Sequence, residues 1–290
     1  MAPRHFEHFV AIDWSGAQGA RHTSITMAIA HAEGGPPVLV ERERGWTRQE
    51  IVELLGEALP DNTLVGLDLG IALPFADAGA YFPGWDQSPA DAKSLWAMID
   101  AECEGDEHLS ASSLVDHPIA SAYFRRHGGR EGELFGGGRG RFRVTERAQE
   151  AAGCKPYSNF NLVGAAQVGK SSLTGMRVLN RLQGRLPVWP IDPLPFTGSV
   201  IVEIYTALAA IAAGRSAGRS KMRTFDELND ALEKLGSPPV AGHGAVDDHA
   251  SDALLTAAWL RGAARSLDLW SPTAMTPAIA QTEGWTFGVP

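Results

Sequence analysis

A run of four apolar residues that ends in an acid constrains the fold most strongly. Residues 9–12 (FVAI) have the pattern of a strand buried on both faces, and Asp13 follows directly, ahead of Ser15 and Gly16, where a turn can begin. Because an isolated carboxylate is costly to bury, Asp13 needs a cation or a hydrogen-bond donor beside it. Asp13 is therefore either half of a structural hydrogen bond or a metal ligand.

The segments that follow predict an antiparallel meander and a capped helix. Residues 23–31 are rich in β-branched and apolar side chains, residues 38–44 alternate, and a Gly-Gly-Pro-Pro turn lies between them. Thr47 is followed three residues later by Glu50, which is the capping-box pattern of a helix N-terminus. The predicted order up to this point is three strands and one helix.

Two later apolar strands each carry one acid near the end. Residues 63–69 (TLVGLDL) contain Asp68, and residues 200–205 (VIVEIY) contain Glu203. The pattern between these strands is weak, with frequent Gly, Pro and Ser. We therefore predict one domain, residues 1–290, in which residues 77–197 form a large insertion between the fourth and fifth strands.

The composition is that of an ordinary globular protein, with 44% apolar and 20% charged residues. A net charge of −9 argues against non-specific coating of nucleic acid, although an enzyme needs only a local basic groove. The sequence has no signal-peptide pattern and no run near the ~18 apolar residues of a membrane span. Cys103 and Cys154 have no metal-ligand spacing, so we expect reduced thiols in a cytoplasmic protein without a membrane partner.

A helix near the C-terminus adds further acids. Residues 247–265 form an alanine-rich helix in which Asp248 and Asp252 are four residues apart and share a face, whereas Asp247 suits the N-cap. If this pair converges with Asp13, Asp68 and Glu203, the carboxylates repel strongly at neutral pH unless cations are present. Hard oxygen ligands suit Mg²⁺ or Mn²⁺, the metals of phosphoryl-transfer sites. His249 is either a proton-transfer group near such metals or a partly exposed helix residue.

The chain resembles the RNase H-like superfamily and, within it, the domain-of-unknown-function family 429, a family of predicted nucleases. The resemblance is carried by five short motifs, namely FVAIDWSGA (9–17), LVGLDLGIALPF (64–75), VGAAQVGKSSLTG (163–175), VIVEIYTAL (200–208) and DDHASDALLTAAWLRG (247–262). It implies a mixed five-stranded sheet, three antiparallel strands followed by parallel strands, flanked by helices on both faces. It also implies a divalent-metal-dependent nuclease acting on DNA or RNA, with metal-ligand roles for Asp13, Asp68, Glu203, Asp248 and Asp252. Some members of the family carry a glutamate at the position of Asp68.

A basic segment lies inside the predicted insertion. Residues 125–147 hold seven arginines against three glutamates, with Phe135 and Phe142 between them. The segment is either a flexible, solvated loop or an arm that grips phosphates and offers its aromatic rings for stacking. The candidate phosphate contacts are all arginines: Arg125, Arg126, Arg139, Arg141 and Arg143.

One further motif points to a different chemistry. Residues 164–171 (GAAQVGKS) match the phosphate-binding loop pattern, in which Lys170 would reach the β and γ oxygens of a nucleotide. That loop requires a buried strand before it, but residues 154–162 are polar, and the helix formers within the match favour a helix over about 163–182. The alternatives to a nuclease are therefore a nucleotide-binding ATPase or kinase and a non-catalytic binding module. In a nuclease, Lys170 would lie near the substrate phosphates.

Overall fold

The computed structural model describes residues 5–164, 167–216 and 220–290. Its eight strands are β1 (His8–Asp13), β2 (Thr26–His31), β3 (Val38–Leu39), β4 (Thr63–Asp68), β5 (Arg125–Arg126), β6 (Arg130–Glu131), β7 (Val188–Trp189) and β8 (Val200–Glu203). Its nine α-helices within these ranges are α1 (Arg48–Glu53), α2 (Ala92–Glu102), α3 (Ser112–Val115), α4 (Val144–Ala151), α5 (Val168–Arg181), α6 (Thr206–Ala212), α7 (Phe225–Lys234), α8 (Asp248–Ala263) and α9 (Pro277–Thr282).

Six of the strands form one mixed sheet in the order β3-β2-β1-β4-β8-β7. The N-terminal strands β1, β2 and β3 are antiparallel, as the sequence predicts, and β4 then joins the other side of β1 in parallel. The strand β8 continues the parallel half. Because parallel strands present their carboxyl ends at one edge, the acids at the ends of β1, β4 and β8 lie on the same side of the sheet.

The sheet has six strands and not the five that the sequence predicts. The additional strand is β7, which pairs in parallel with β8 at the edge of the sheet and arises from within residues 77–197. It consists of two residues, Val188 and Trp189. A strand this short has no alternation that a sequence pattern can detect.

Alternating residues of β1 point into two separate cores. Val10 and Ile12 pack with apolar residues of α2 and α5, whereas Phe9 and Ala11 pack with apolar residues of α6 and α8. Both faces of the sheet are therefore covered by helices, which explains why residues 9–12 are continuously apolar. The helix α8 lies against β1 and β2, and this placement brings its first turns to the edge where β1 ends.

Two of the predicted helix starts are confirmed. Thr47 and Glu50 form a reciprocal capping box at α1. At α8 the N-cap is Asp247, whose side chain accepts from the backbone N–H groups of His249 and Ala250. Across residues 5–164, 167–216 and 220–290, no helix has both the length and the apolar character needed to cross a membrane.

Candidate active site

Three aspartates meet where β1 and β4 end. Asp13 and Asp68 are the last residues of these neighbouring parallel strands and lie directly opposite each other in register. Asp252, in the second turn of α8, completes the group; Asp13 and Asp252 are buried. Burial raises the pKa of Asp68 well above its ordinary value, and the negative charges of Asp13 and Asp252 raise it further. We call Asp13, Asp68 and Asp252 the acid cluster.

Two side chains, a lysine and a histidine, already contact the acid cluster. The ammonium of Lys221 donates to Asp252, and His249 Nδ1 lies 2.7 Å from Asp13 Oδ2, a position from which Nδ1–H donates to the carboxylate. Burial raises the pKa of Asp252 to about 6, against the opposing effect of the Lys221 charge. The hydrogen bond to Asp13 raises the pKa of His249. The acids are therefore partly neutralised by the protein itself.

Asp248 lies next to the acid cluster without forming a direct contact with it. Its side chain is exposed in the first turn of α8. Burial is the largest influence on both neighbouring groups: it raises the pKa of Asp252 and lowers the pKa of Lys221. The negative charge of Asp248 raises both pKa values. Asp248 is thus close enough to act on the acid cluster electrostatically.

Glu203 is held differently from the three aspartates. Its Oε1 accepts from Arg143 Nη2 at 2.6 Å and from the Thr286 hydroxyl, and its Oε2 accepts from Arg143 Nη1 and from the backbone N–H of Ile71, both at 2.8 Å. A carboxylate has about four lone-pair directions, and four donors of the protein fill them here. The contacts therefore indicate a structural role, and a metal could bind Glu203 only by displacing one of these donors.

The predicted phosphate contacts in the arginine-rich segment are also engaged internally. Arg143 is fully buried and pairs with Glu146 as well as Glu203; Arg141 pairs with Asp77 and donates to three backbone carbonyls. Arg139 pairs with Glu150.

The two phenylalanines of that segment are not available for base stacking in this structure. Phe135 and Phe142 are buried, and arginine side chains cover their rings: Arg125 covers Phe135, while Arg139 and Arg147 cover Phe142. The segment is thus folded onto the protein by ion pairs and cation–π contacts.

The segment that matches a phosphate-binding loop begins a helix without the strand that such a loop requires. The helix α5 starts at Val168, five residues later than the predicted start, and Ala165 and Ala166 of the motif lie outside the described residues. Between 154 and 162 the structure shows only an isolated bridge, formed by Asn161 with Arg125. Lys170, in the first turn of α5, contacts the His127 imidazole.

An open cavity of about 470 Å³ lies beside the acid cluster. Its wall includes Asp68 and His249, and Glu203 and Arg143 also line it. Other polar or aromatic groups around it come from separate parts of the chain, namely Ser15, Tyr157, Asn159, Gln167, Ser171 and Tyr205. Tyr157 is 45% exposed, which leaves its ring available to a ligand.

Sequence reasoning missed Lys221 and Tyr157 as members of this region. Lys221 belongs to a basic stretch, residues 215–223, but nothing in that stretch shows which side chain reaches back to α8. Tyr157 lies in a polar segment without periodicity. Only the three-dimensional arrangement reveals both residues.

The acid cluster has the donor chemistry of the divalent-metal site that the family resemblance implies, but not its arrangement. Among the described residues, no group of three or more His, Cys, Asp or Glu side chains is arranged to hold a metal ion as it stands. The donors nevertheless have the right chemistry, because carboxylate oxygens gathered at one edge favour a hard cation. Burial raises the pKa of Asp68 and of Asp252, and the neighbouring acids raise both further. Lys221 supplies part of the positive charge that such a cation would bring, and His249 contacts the Asp13 carboxylate.

Comparison with known proteins adds no assignment. A scan against protein-family models, a search of curated proteins and a search of solved structures each found no match to this chain. A function can therefore be inferred only from the sequence and from the geometry of the site.

Proposed function

We propose that the protein is a divalent-metal-dependent nuclease that hydrolyses phosphodiester bonds of nucleic acid. The observation that carries this proposal is the register of Asp13 with Asp68 at the ends of two adjacent parallel strands, with Asp252 of α8 beside them. Three carboxylates at one sheet edge next to an open cavity form a site where a cation and a phosphodiester can meet.

The sheet topology supports an RNase H-like fold within this proposal. A central β1 has an antiparallel neighbour on one side and the parallel β4 on the other, followed by β8, and a late helix with acids packs on β1. This is the order of elements that the family resemblance implies. The strand β7 would then be an addition at the edge of that core.

Asp13, Asp68 and Asp252 would hold Mg²⁺ or Mn²⁺, and Asp248 would supply further negative charge from the adjacent turn. When bound, such an ion activates a water molecule and stabilises the leaving oxygen of the phosphodiester. For this to happen, the Lys221 ammonium must release Asp252, with which it is paired in this structure. Lys221 would then be free to contact a substrate phosphate.

Other side chains of the cavity have roles that do not depend on a metal. His249 holds the Asp13 carboxylate in place through Nδ1. Tyr157 presents a half-exposed ring on which an unpaired base can stack, a contact worth about 1–3 kcal/mol. The Arg143–Glu203 pair fixes the wall of the cavity and takes no part in the hydrolysis.

The direct test is cleavage of labelled single-stranded, duplex, hybrid and branched substrates by the purified protein in Mn²⁺ or Mg²⁺. We expect cleavage of at least one substrate and its loss by a factor of about 100 or more in D13N and D252N, because each change removes a charged ligand. Calorimetry should show Mn²⁺ binding that weakens in both variants.

The matched control is D247N, which changes an aspartate of the same helix to asparagine. Asparagine caps a helix as well as aspartate does, so D247N should fold and cleave like the wild type. Cleavage retained in D13N would refute the assigned role of the acid cluster. Absence of both cleavage and metal binding in the wild type would refute the nuclease proposal and favour a binding module.

A further inference from the structure

A second cavity on the other side of Gly16 is lined by basic side chains. Its volume is about 180 Å³; the acid Asp116 lines it, and so do four basic residues, Arg126, His127, Arg130 and Lys170. Pockets that enclose drug-sized ligands measure roughly 300–1,000 Å³, so this cavity suits a small anionic group rather than a whole nucleotide. We call these four residues and their cavity the basic cavity.

The charge balance distinguishes the basic cavity from the rest of the arginine-rich segment. Arg125, Arg139, Arg141, Arg143 and Arg147 each pair with a carboxylate. In contrast, Arg130 and Lys170 have no acidic partner within 4 Å among the described residues. Arg130 Nε donates to the backbone carbonyl of His127, and the Lys170 ammonium contacts the His127 imidazole. Of the seven arginines in residues 125–147, Arg130 is thus the one without an acidic partner in the described structure, and Lys170 joins it at the basic cavity.

Arg126 contributes a further free donor. Its guanidinium pairs with Asp116, whose side chain is 73% exposed, so solvent weakens this pair. Its Nε is buried and, within residues 5–164, 167–216 and 220–290, has no hydrogen-bond partner. A buried donor without a partner is costly, and the Arg126 side chain would have to turn before an anion in the cavity could satisfy it.

The basic cavity is adjacent to the cavity of the acid cluster. Gly16 lines both, and the N-terminal turn of α5 separates them. Gly16 lies so close to α5 that a Cβ atom on it would be 2.4 Å from the backbone of Lys170 and of Ser171. The two cavities are therefore neighbours, separated by the contact between Gly16 and α5.

We propose that the basic cavity binds a backbone phosphate of single-stranded nucleic acid, away from the bond that is cut. The proposal rests on the proposed nuclease function for the identity of the ligand. Arginine forks and a lysine ammonium are the side chains that hold phosphate oxygens best, and contacts to the backbone position a strand without reading its sequence.

The test measures the affinity of a fluorescently labelled single-stranded oligonucleotide in EDTA, so that no hydrolysis occurs. We expect R130A and K170A each to weaken binding about tenfold, irrespective of sequence. In the double variant the plot of log affinity against log salt concentration should become shallower by about 0.7, because about 0.7 is lost for each phosphate contact on a single strand and the cavity holds one phosphate.

The control is R147A, which removes the same charge from the same segment but from a residue paired with Glu150. It should bind within about twofold of the wild type. R130A changes an exposed residue, so it tests the proposal even if changes at Lys170 disturb α5. Wild-type affinity and salt dependence in R130A and K170A would overturn the proposal, as would calorimetric binding of inorganic phosphate without any binding of the oligonucleotide.

The outcomes separate this inference from the nuclease proposal. Oligonucleotide binding that depends on Arg130 and Lys170, in a wild type that neither cleaves in Mn²⁺ nor binds Mn²⁺, supports the basic cavity and refutes the nuclease. Cleavage that is lost in D13N, with binding unaffected in R130A and K170A, supports the nuclease and refutes the basic cavity.

Discussion

Replacing Arg143 by methionine should destabilise the protein strongly, because this arginine neutralises two buried carboxylates. Its side chain is 1% exposed, those of Glu146 and Glu203 are 4% and 3% exposed, and it donates to both carboxylates and to the Glu283 carbonyl. Removing one partner of a buried ion pair costs about 3–5 kcal/mol. Neutralising one carboxyl with a pKa near 4.3 at pH 7 costs about 3.7 kcal/mol, which agrees with that range.

The free energy of unfolding can be measured by urea denaturation, followed by the fluorescence of the eight tryptophans. We expect a loss of about 3–5 kcal/mol in R143M at pH 7. The control R147M removes a side chain that is 61% exposed, so the loss there should stay within about 1 kcal/mol. A loss below about 1 kcal/mol in R143M would refute the assignment of Arg143 as the counter-ion of this group.

The loss should also depend on pH in a defined direction. Burial raises the pKa of Glu146 and the Arg143 charge opposes this shift, so in R143M the folded pKa of Glu146 lies further above the unfolded value. The folded variant then binds more protons than the unfolded chain, and its stability relative to the wild type recovers as the pH falls. Between about pH 7 and about pH 5.5 the deficit should shrink by about 2 kcal/mol for each protonated group. A deficit that grows in acid would contradict this account.

E203Q separates the structural role of Glu203 from the predicted role of metal ligand. We expect E203Q to reduce the free energy of unfolding by about 1–3 kcal/mol, because charge-assisted hydrogen bonds from Arg143 are lost. Its Mn²⁺ affinity should stay within about twofold of the wild type, since the metal does not need this carboxylate. A loss of metal affinity as large as in D13N would show that Glu203 is a ligand after all.

Two further predictions concern α5 and its neighbours. G16A should reduce the free energy of unfolding by about 1–3 kcal/mol in urea denaturation, because its Cβ would meet the Lys170 backbone. The control G105A should be close to neutral, since a Cβ there meets nothing within 4 Å. Burial by itself would raise the pKa of Asp100, but hydrogen bonds from Arg177 and Asn180 outweigh it and lower this pKa. The ionised Asp100 should therefore stabilise the fold above its unfolded pKa. This stabilisation should disappear as the pH falls through the lowered folded pKa. The difference in stability between wild type and D100N should therefore vanish in acid, and a constant difference would contradict the role of the Asp100 charge.

The parts of the fold that follow from local patterns could be predicted from the sequence. The capping box of Thr47 and the N-cap of Asp247 depend on residues three or fewer positions away, and the apolar run before Asp13 reports burial on both sides. The two-residue strand β7 could not be predicted, because its pairing with β8 is decided by the sheet and not by its own residues.

The partners of charged side chains were beyond sequence reasoning for a similar reason. Arg141 meets Asp77 across 64 positions, and Arg143 meets Glu203 across 60. An excess of arginine in residues 125–147 indicates positive charge, but only the folded chain shows which charges are already neutralised. Most of the predicted phosphate contacts are neutralised in this way, whereas Arg130 of the same segment and Lys170 of α5 have no acidic partner within 4 Å among the described residues.

The acid cluster and the basic cavity act on a polyanion in opposite ways, by repulsion and by attraction. A polyanion is repelled by a chain of net charge −9 and, more strongly, by Asp13, Asp68 and Asp252 together. Lys221 and His249 reduce that repulsion at the acid cluster itself, but they cannot hold a strand and balance the acids at the same time. Attraction must therefore come from cations that have no acidic partner, and two of these, Arg130 and Lys170, lie just across Gly16. Because a phosphate held there is anchored before any metal is bound, association with the strand should not require the acid cluster to be filled.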